Sequence, residues 1–120
     1  VVIIGSRGRV RILVFGSLSS GGWKAGLQDL SCGLAVHRAH GKISVSEIEH
    51  GPFPTWMRRA GGGGGGDTDI DWSGVAKNNP RGRVGTAEDI AGLSIFLCSR
   101  AGAFTVGEVI TCDGGVAYAT

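Results

Sequence analysis

The stretch GRVGTAEDIAGLSIFLCSRAGAFTVGEVITCDGG, residues 82–115, decides the fold class of this 120-residue chain. Within it, Thr86 precedes two acidic residues, which is typical of a helix N-terminus because carboxylates there meet the positive end of the helix dipole. Apolar residues then recur at helical spacing until residues 99–102, which predict the helix end. Residues 107–112 predict a strand that is closed by Asp113-Gly114-Gly115. The stretch therefore predicts one helix followed by one strand.

The residues before this stretch show the same alternation of strand and helix. Residues 1–4 and 10–15 are short apolar runs that predict strands, the second one buried on both faces. Residues 23–40 carry apolar side chains at helical spacing, with Gly41 as the predicted stop, and residues 43–48 predict another strand. The alternation indicates an α/β fold: a partial Rossmann-like (doubly wound) parallel sheet with about three core strands and two main crossover helices.

The chain is predicted to be a single partial domain, residues 1–120, with a flexible excursion around residues 58–80. Its length and its 42% of hydrophobic residues suit one globular core. The excursion contains six consecutive glycines, residues 61–66, which have no side chains to pack and lose much entropy on ordering. Because no helical or strand period survives between residues 52 and 83, we expect a linker or a lid there.

Charge and cysteine content argue against several classes of function. A formal net charge of +2 is too small to predict a nucleic-acid partner, and no apolar run approaches the ~20 residues that a membrane-spanning helix needs. Three cysteines at wide spacing favour neither a disulfide scaffold nor a zinc ribbon, so a reducing, cytoplasmic location is expected. Cys32, His37 and His40 could lie close together on one helix. Without a second closely spaced pair, however, no metal site is predicted.

Two segments resemble the carboxyl-terminal half of the short-chain dehydrogenases/reductases. Residues 82–115 resemble the family's capped helix and its last strand, which ends in Asp-Gly-Gly. Residues 24–57, KAGLQDLSCGLAVHRAHGKISVSEIEHGPFPTWM, resemble its catalytic helix, sixth strand and following cofactor loop. Together with GRVRILVFGSLSS, residues 8–20, the resemblance covers nearly the whole chain except the glycine-rich excursion.

This resemblance implies hydride transfer between NAD or NADP and a small alcohol or carbonyl substrate. In the family, a tyrosine phenol is the acid or base, a lysine four residues later lowers its pKa and holds the ribose, and a serine positions the substrate oxygen. Lys24 aligns with the family lysine, as a catalytic and cofactor-binding residue, and Ser17 aligns with the family serine. Gly51, Phe53 and Thr55 fall in register with the cofactor loop, so the resemblance assigns them to cofactor binding.

Departures from the family pattern predict little or no activity for these 120 residues alone. Ser20 stands four residues before Lys24, where the family has its tyrosine. The segment between Ser17 and Lys24 is also about ten residues shorter than the family requires for its serine and its acid or base to converge. No glycine-rich turn suited to the pyrophosphate is found in these residues, because Gly5-Ser6-Arg7-Gly8 leads into a predicted strand and not into a helix.

A non-catalytic interaction module is the second hypothesis. Without the strands that precede it in the family, the predicted strand at residues 10–15 would be an open apolar edge, which is prone to pairing with another chain. A homo-oligomer would cover that edge. The two hypotheses differ in whether the chain binds a nicotinamide cofactor or assembles without one.

Overall fold

The computed structural model describes residues 1–6, 18–55 and 70–118. In chain order the structure contains β1 (Val2–Ser6), α1 (Leu18–Ala39), β2 (Ser46–His50), α2 (Trp72–Lys77), α3 (Ala87–Cys98), a 3-10 turn (Arg100–Gly102) and β3 (Val109–Cys112). The predicted strand at residues 10–15, the predicted site residue Ser17 and the glycine run lie outside the described residues.

The three strands form one parallel sheet in the order β1-β2-β3. Ile4 of β1 is in register with Ile48 of β2, which is in register with Ile110 of β3. Helix α1 lies between β1 and β2 in the chain and packs on both strands, while α2 and α3 lie between β2 and β3. The predicted α/β class, with a Rossmann-like parallel sheet and crossover helices, is confirmed.

Helix α3 begins and ends where the sequence predicts. Thr86 has an extended backbone. The Asp89 carboxylate accepts hydrogen bonds from the main-chain N–H of Thr86 at 2.8 Å and from the hydroxyl of Thr86 at 3.3 Å. At the other end, the Ser99 hydroxyl donates to the Phe96 oxygen at 2.9 Å and accepts from the Ala101 N–H at 3.1 Å. These bonds satisfy main-chain groups that have no partner within a helix.

Other boundaries are displaced by a few residues from their predicted places. Helix α1 begins at Leu18 and not at residue 23, and β2 covers Ser46–His50 and not residues 43–48. The residue in the left-handed region after α1 is Lys42, with a φ of 58°, and not the predicted stop Gly41. The turn is instead closed by hydrogen bonds between main-chain groups around these residues.

Helix α2 lies in a region where the sequence has no periodicity. Its first turn is held by Asp71, whose carboxylate accepts hydrogen bonds from the Ser73 N–H at 3.0 Å and from the Ser73 hydroxyl at 2.7 Å. These hydrogen bonds lower the pKa of Asp71. A local side-chain cap therefore starts this six-residue helix without a clear apolar face.

The described residues bury few apolar side chains. The buried apolar residues in this part of the chain are Ala35, Val45, Ile48, Pro52 and Leu97. The central strand β2 is buried although it carries Glu47 and Glu49, and both carboxylates lie in the interior. Ten large apolar or aromatic residues of the described part are exposed. The surface therefore offers apolar area that another layer or chain could cover.

Candidate functional site

The carboxyl ends of the three strands meet at one edge of the sheet. Ser6, the last residue of β1, is in register with His50, the last residue of β2, and His50 is in register with Cys112, the last residue of β3. Ligands of open parallel α/β sheets bind at this edge. The predicted cofactor residues follow β2 there: Gly51, Phe53 and Thr55.

Gly51 is fixed by close packing against β3 and the residue after it. Its N–H donates a hydrogen bond to the Cys112 oxygen at 3.0 Å. A Cβ atom at this position would lie 2.5 Å from the Asp113 Cβ and 2.6 Å from the Asp113 Cα. Only glycine fits against that backbone, so the structure gives Gly51 a packing role in the turn.

The Phe53 ring packs against His50 and Gly85. The ring centroids of His50 and Phe53 lie 5.8 Å apart at 87°, an edge-to-face arrangement. Gly85 leaves the space that the Phe53 ring occupies, and its N–H donates to the Pro52 oxygen at 3.0 Å. The turn after β2 is thereby attached to the loop before α3.

Lys24 and Thr55 form no hydrogen bond or ion pair with any residue that the structure describes. Lys24 is half-buried in the second turn of α1, four positions after Ser20 in the first turn. Thr55 is exposed at the end of the described turn. Within the described ranges, no hydrogen bond joins the predicted lysine to the turn after β2.

The serine that ends β1 is Ser6, a functional candidate that the sequence analysis passes over. It stands fourteen positions before Ser20, whereas Ser17 stands three positions before it. The segment between Ser6 and Ser20 is therefore long enough for the family pattern, whereas the segment that starts at Ser17 is too short. The signal in the sequence is the apolar run at residues 1–4 followed directly by Gly5-Ser6.

Arg83 and Asp89 form an ion pair with two hydrogen bonds beside this turn. Arg83 Nη1 lies 2.6 Å from Asp89 Oδ2, and Nη2 lies 2.9 Å from Oδ1. The hydrogen bond from the Arg83 guanidinium is the largest cause that holds the pKa of the Asp89 carboxyl well below its usual range, followed by the bond from the Thr86 N–H. The pair attaches the loop before α3 to the first turn of that helix.

No group of three or more His, Cys, Asp or Glu side chains within residues 1–6, 18–55 and 70–118 could hold a metal ion. Cys32 and His37 therefore do not belong to such a group. No helix of the described part has the length and apolar character needed to cross a membrane.

Comparison with known proteins defines the family. The family described as enoyl-(acyl carrier protein) reductase matches residues 1–117. Together with the parallel sheet and the turn after β2, this match shows that the chain belongs to the short-chain dehydrogenase/reductase family, as the resemblance predicts.

Individual relatives agree with this assignment. The chain is 34% identical over 115 residues to a rhamnolipid-biosynthesis 3-oxoacyl-(acyl-carrier-protein) reductase of Pseudomonas aeruginosa, covering 96% of this chain and 43% of the relative. It is 33% identical over 109 residues to the 3-oxoacyl-(acyl-carrier-protein) reductase FabG of Escherichia coli, covering 86% and 42%. The structure titled Pseudomonas aeruginosa RhlG/NADP active-site complex is similar at a TM-score of 0.81 and 32% identity, covering 97% of this chain and 44% of that one. The chain thus spans less than half the length of these relatives.

The predicted cofactor residues of the described part have different surroundings. Gly51 packs against Asp113 without room for a Cβ atom, and the Phe53 ring occupies the space that Gly85 leaves. Lys24 and Thr55 are the two predicted site residues whose polar groups remain available.

Proposed function

We propose that these residues form the carboxyl-terminal part of an NAD(P)-dependent oxidoreductase unit for small alcohol or carbonyl substrates, and that the 120 residues alone are inactive. The proposed inactivity is inferred from Ser20, which lies one helical turn before Lys24 in α1, where the family has its tyrosine. A serine hydroxyl ionises far less readily than a phenol, so Ser20 cannot supply the acid or base that Lys24 would activate. Family membership supports the oxidoreductase class.

Within this proposal, Lys24 and Ser6 are the remaining catalytic positions. Ser6 replaces Ser17 as the counterpart of the family serine, because it ends β1 at the carboxyl edge of the sheet beside His50. Thr55 is the proposed polar contact to the cofactor, since it is exposed at the same edge. Gly51 and Phe53 are proposed to shape the turn that presents Thr55.

The proposed cofactor is NAD or NADP, and the proposed location is the cytoplasm. The related Pseudomonas aeruginosa structure is titled as a complex with NADP, which supports a nicotinamide cofactor for the family unit. Cys32, Cys98 and Cys112 are all free thiols, which suits a reducing compartment.

The substitution Ser20→Tyr tests the proposal, because it places a phenol four positions before Lys24. Oxidation of NADH and NADPH is followed by absorbance with a panel of small aldehydes and ketones, and Ser19→Tyr is the matched control. We expect no turnover by the wild type or by either variant, because these residues lack the glycine-rich turn that would hold the pyrophosphate of the cofactor. Turnover by the wild type contradicts the proposed inactivity. Turnover by Ser20→Tyr but not by Ser19→Tyr contradicts the incomplete cofactor site and supports the roles of Lys24 and the phenol position.

A second candidate function, a non-catalytic module that assembles with a second copy, is favoured by the exposed face of α1. Trp23 is 82% exposed, and Leu30, two helical turns later, is 56% exposed. Both border an apolar groove of about 580 Å³ that Gly22, Gly26 and Leu27 complete. A second copy of α1 packed on this groove would remove both side chains from water.

The edge of the sheet gives weaker support for this second function. In the described sheet, β1 has a neighbour on one side only, namely β2. An edge strand presents unpaired main-chain groups that can pair with another chain. The edge predicted at residues 10–15 lies outside the described residues, so the proposal rests on α1.

A further inference from the structure

A cavity of about 550 Å³ lies between the turn after β2, the loop before α3 and the end of β3. This volume is within the range of small-molecule sites. Pro52 and Phe53 form part of its apolar wall, and Tyr118 also borders it. Lys24 and Thr55, the proposed polar contacts to the cofactor, are not among the residues that line it, whereas Phe53 belongs to both sets of residues.

The carboxylates that line the cavity are already engaged. Asp89 is held by the two hydrogen bonds from Arg83. Asp113 accepts hydrogen bonds from the Gly115 N–H at 2.8 Å and from the Ala117 N–H at 2.6 Å. Both carboxylates of the lining are therefore hydrogen-bonded within the protein: Asp89 to Arg83, and Asp113 to the turn after β3.

Asn79 fixes the rim of the cavity. It is buried, and its side-chain amide donates to the Asp113 oxygen at 3.0 Å. Its Oδ1 accepts the N–H of Arg81 at 2.8 Å. Gly114, with a φ of 71°, leaves the space in which the Asn79 amide lies. The backbone of Arg81 is thus held in place at the cavity.

Three hydrogen-bond donors of the lining are not engaged within the described residues. The Arg81 guanidinium, the Thr111 hydroxyl and the Tyr118 hydroxyl form no hydrogen bond or ion pair with any residue in the described ranges. A site whose carboxylates are engaged and which keeps these three donors unengaged, one of them a guanidinium, favours a ligand rich in acceptors. The Phe53 ring and Pro52 favour a ligand that also carries an apolar ring.

We propose that this cavity binds a small organic anion, a carboxylate attached to an apolar or aromatic ring, and that Arg81 holds the carboxylate. Thr111 supplies a second donor from the floor of the cavity, at β3. The ring lies against Pro52 and Phe53. This site goes beyond the proposed oxidoreductase function, and its test requires no nicotinamide cofactor.

Protection of Cys112 from a maleimide measures binding directly, since this half-buried thiol lines the cavity. Burial raises the pKa of Cys112, so labelling is done at mildly alkaline pH and is quantified for each cysteine by mass spectrometry. The probes are benzoate and benzamide, which share a ring and differ in charge. We expect benzoate to slow the labelling of Cys112 several-fold and benzamide to have little effect. Cys98, exposed on α3, is the internal control and keeps its rate.

The variant Arg81→Gln identifies the anion-binding residue. We expect its benzoate affinity to fall about ten-fold or more, as for loss of a hydrogen bond to a charged group. Arg100→Gln removes an exposed arginine outside the cavity and should leave the affinity unchanged. Equal protection by benzoate and benzamide, no protection by benzoate, or an unchanged affinity in folded Arg81→Gln would overturn the proposal. The comparison of the two probes needs no variant, so it decides the outcome even if Arg81→Gln does not fold.

Discussion

The side-chain amide of Asn79 donates a hydrogen bond to the main-chain oxygen of Asp113 at 3.0 Å, and so joins the loop before α3 to the end of β3. Asn79 is only 5% exposed, and its Oδ1 accepts the N–H of Arg81 at 2.8 Å. A buried amide with both ends hydrogen-bonded holds two segments that are distant in sequence. It thereby shapes one side of the cavity at the carboxyl edge of the sheet.

Removing this amide should destabilise the fold. We expect Asn79→Ala to lower the free energy of unfolding by about 1–3 kcal/mol, because the buried main-chain oxygen of Asp113 and the part-buried N–H of Arg81 lose their partner. Asn78→Ala is the matched control, since Asn78 is exposed and its side-chain amide donates to the Gly74 oxygen within the same short helical segment. That control should change the stability by less than about 0.5 kcal/mol. Urea unfolding measures both, and equal losses would contradict the role of Asn79.

The ion pair between Arg83 and Asp89 predicts a dependence of stability on pH. Because the folded state lowers the pKa of Asp89, the ionised carboxylate stabilises the fold above its unfolded-state pKa, and this contribution is lost as the pH falls through the folded pKa. The stability difference between wild type and Asp89→Asn should therefore be largest near neutral pH and shrink below about pH 4. Thermal unfolding from neutral to acid pH measures it.

Salt gives a second check on the same pair. Both side chains are partly exposed, so added salt should reduce the difference between wild type and Asp89→Asn. Glu108→Gln, at an exposed residue, is the control and should show little difference from wild type at any of these conditions. If the stability difference between wild type and Asp89→Asn grew as the pH fell, the carboxylate would not stabilise the fold through its ionised form.

The sequence predicts α3 and β3 well because their signals are local. Thr86 and Asp89 lie within one helical turn, so the hydrogen bonds that begin α3 involve neighbours in sequence. β2 is less predictable, since Glu47 and Glu49 break the apolar pattern of a central strand. Their burial follows from the position of β2 between two strands, which is a property of the tertiary structure.

The candidate site, too, is predictable from the sequence only where its signals are local. The turn at residues 50–55 is predictable from its resemblance to a family motif, but the contacts of Gly51 with Asp113 depend on the pairing of β2 with β3. Ser6 is the serine that the structure places at the carboxyl edge, because β1 ends there. The apolar run at residues 10–15 obscures this assignment, since it also reads as a strand that precedes a serine.

Two glycine substitutions should have opposite effects on stability. Gly51→Ala places a Cβ against the backbone of Asp113 and should destabilise the fold by about 1–3 kcal/mol or more. Gly33→Ala places a Cβ in open space within α1 and should stabilise the fold by about 0.5–1 kcal/mol, because alanine favours helix. Urea unfolding of both variants gives the two signs. A neutral Gly51→Ala would contradict the close approach of the turn to β3.

Assembly through α1 predicts a change in oligomeric state. If a second copy covers the exposed face of α1, Trp23→Ser and Leu30→Ser should each shift the chain toward monomer at a given concentration. Phe104→Ser removes an exposed aromatic residue outside α1 and should leave the assembly unchanged. Light scattering coupled to size exclusion measures the mass over a range of concentrations. A monomeric wild type at all concentrations would remove the support for the second candidate function.

The central proposal is that these 120 residues alone do not bind a nicotinamide dinucleotide. Titration of the purified chain with NADH and NADPH, followed by cofactor fluorescence and calorimetry, tests it most directly. The Pseudomonas aeruginosa protein RhlG, whose structure is titled as an NADP complex, is the positive control. We predict no saturable binding up to millimolar cofactor. Saturable binding at micromolar concentration would contradict the claim and show that a usable dinucleotide site exists in this chain.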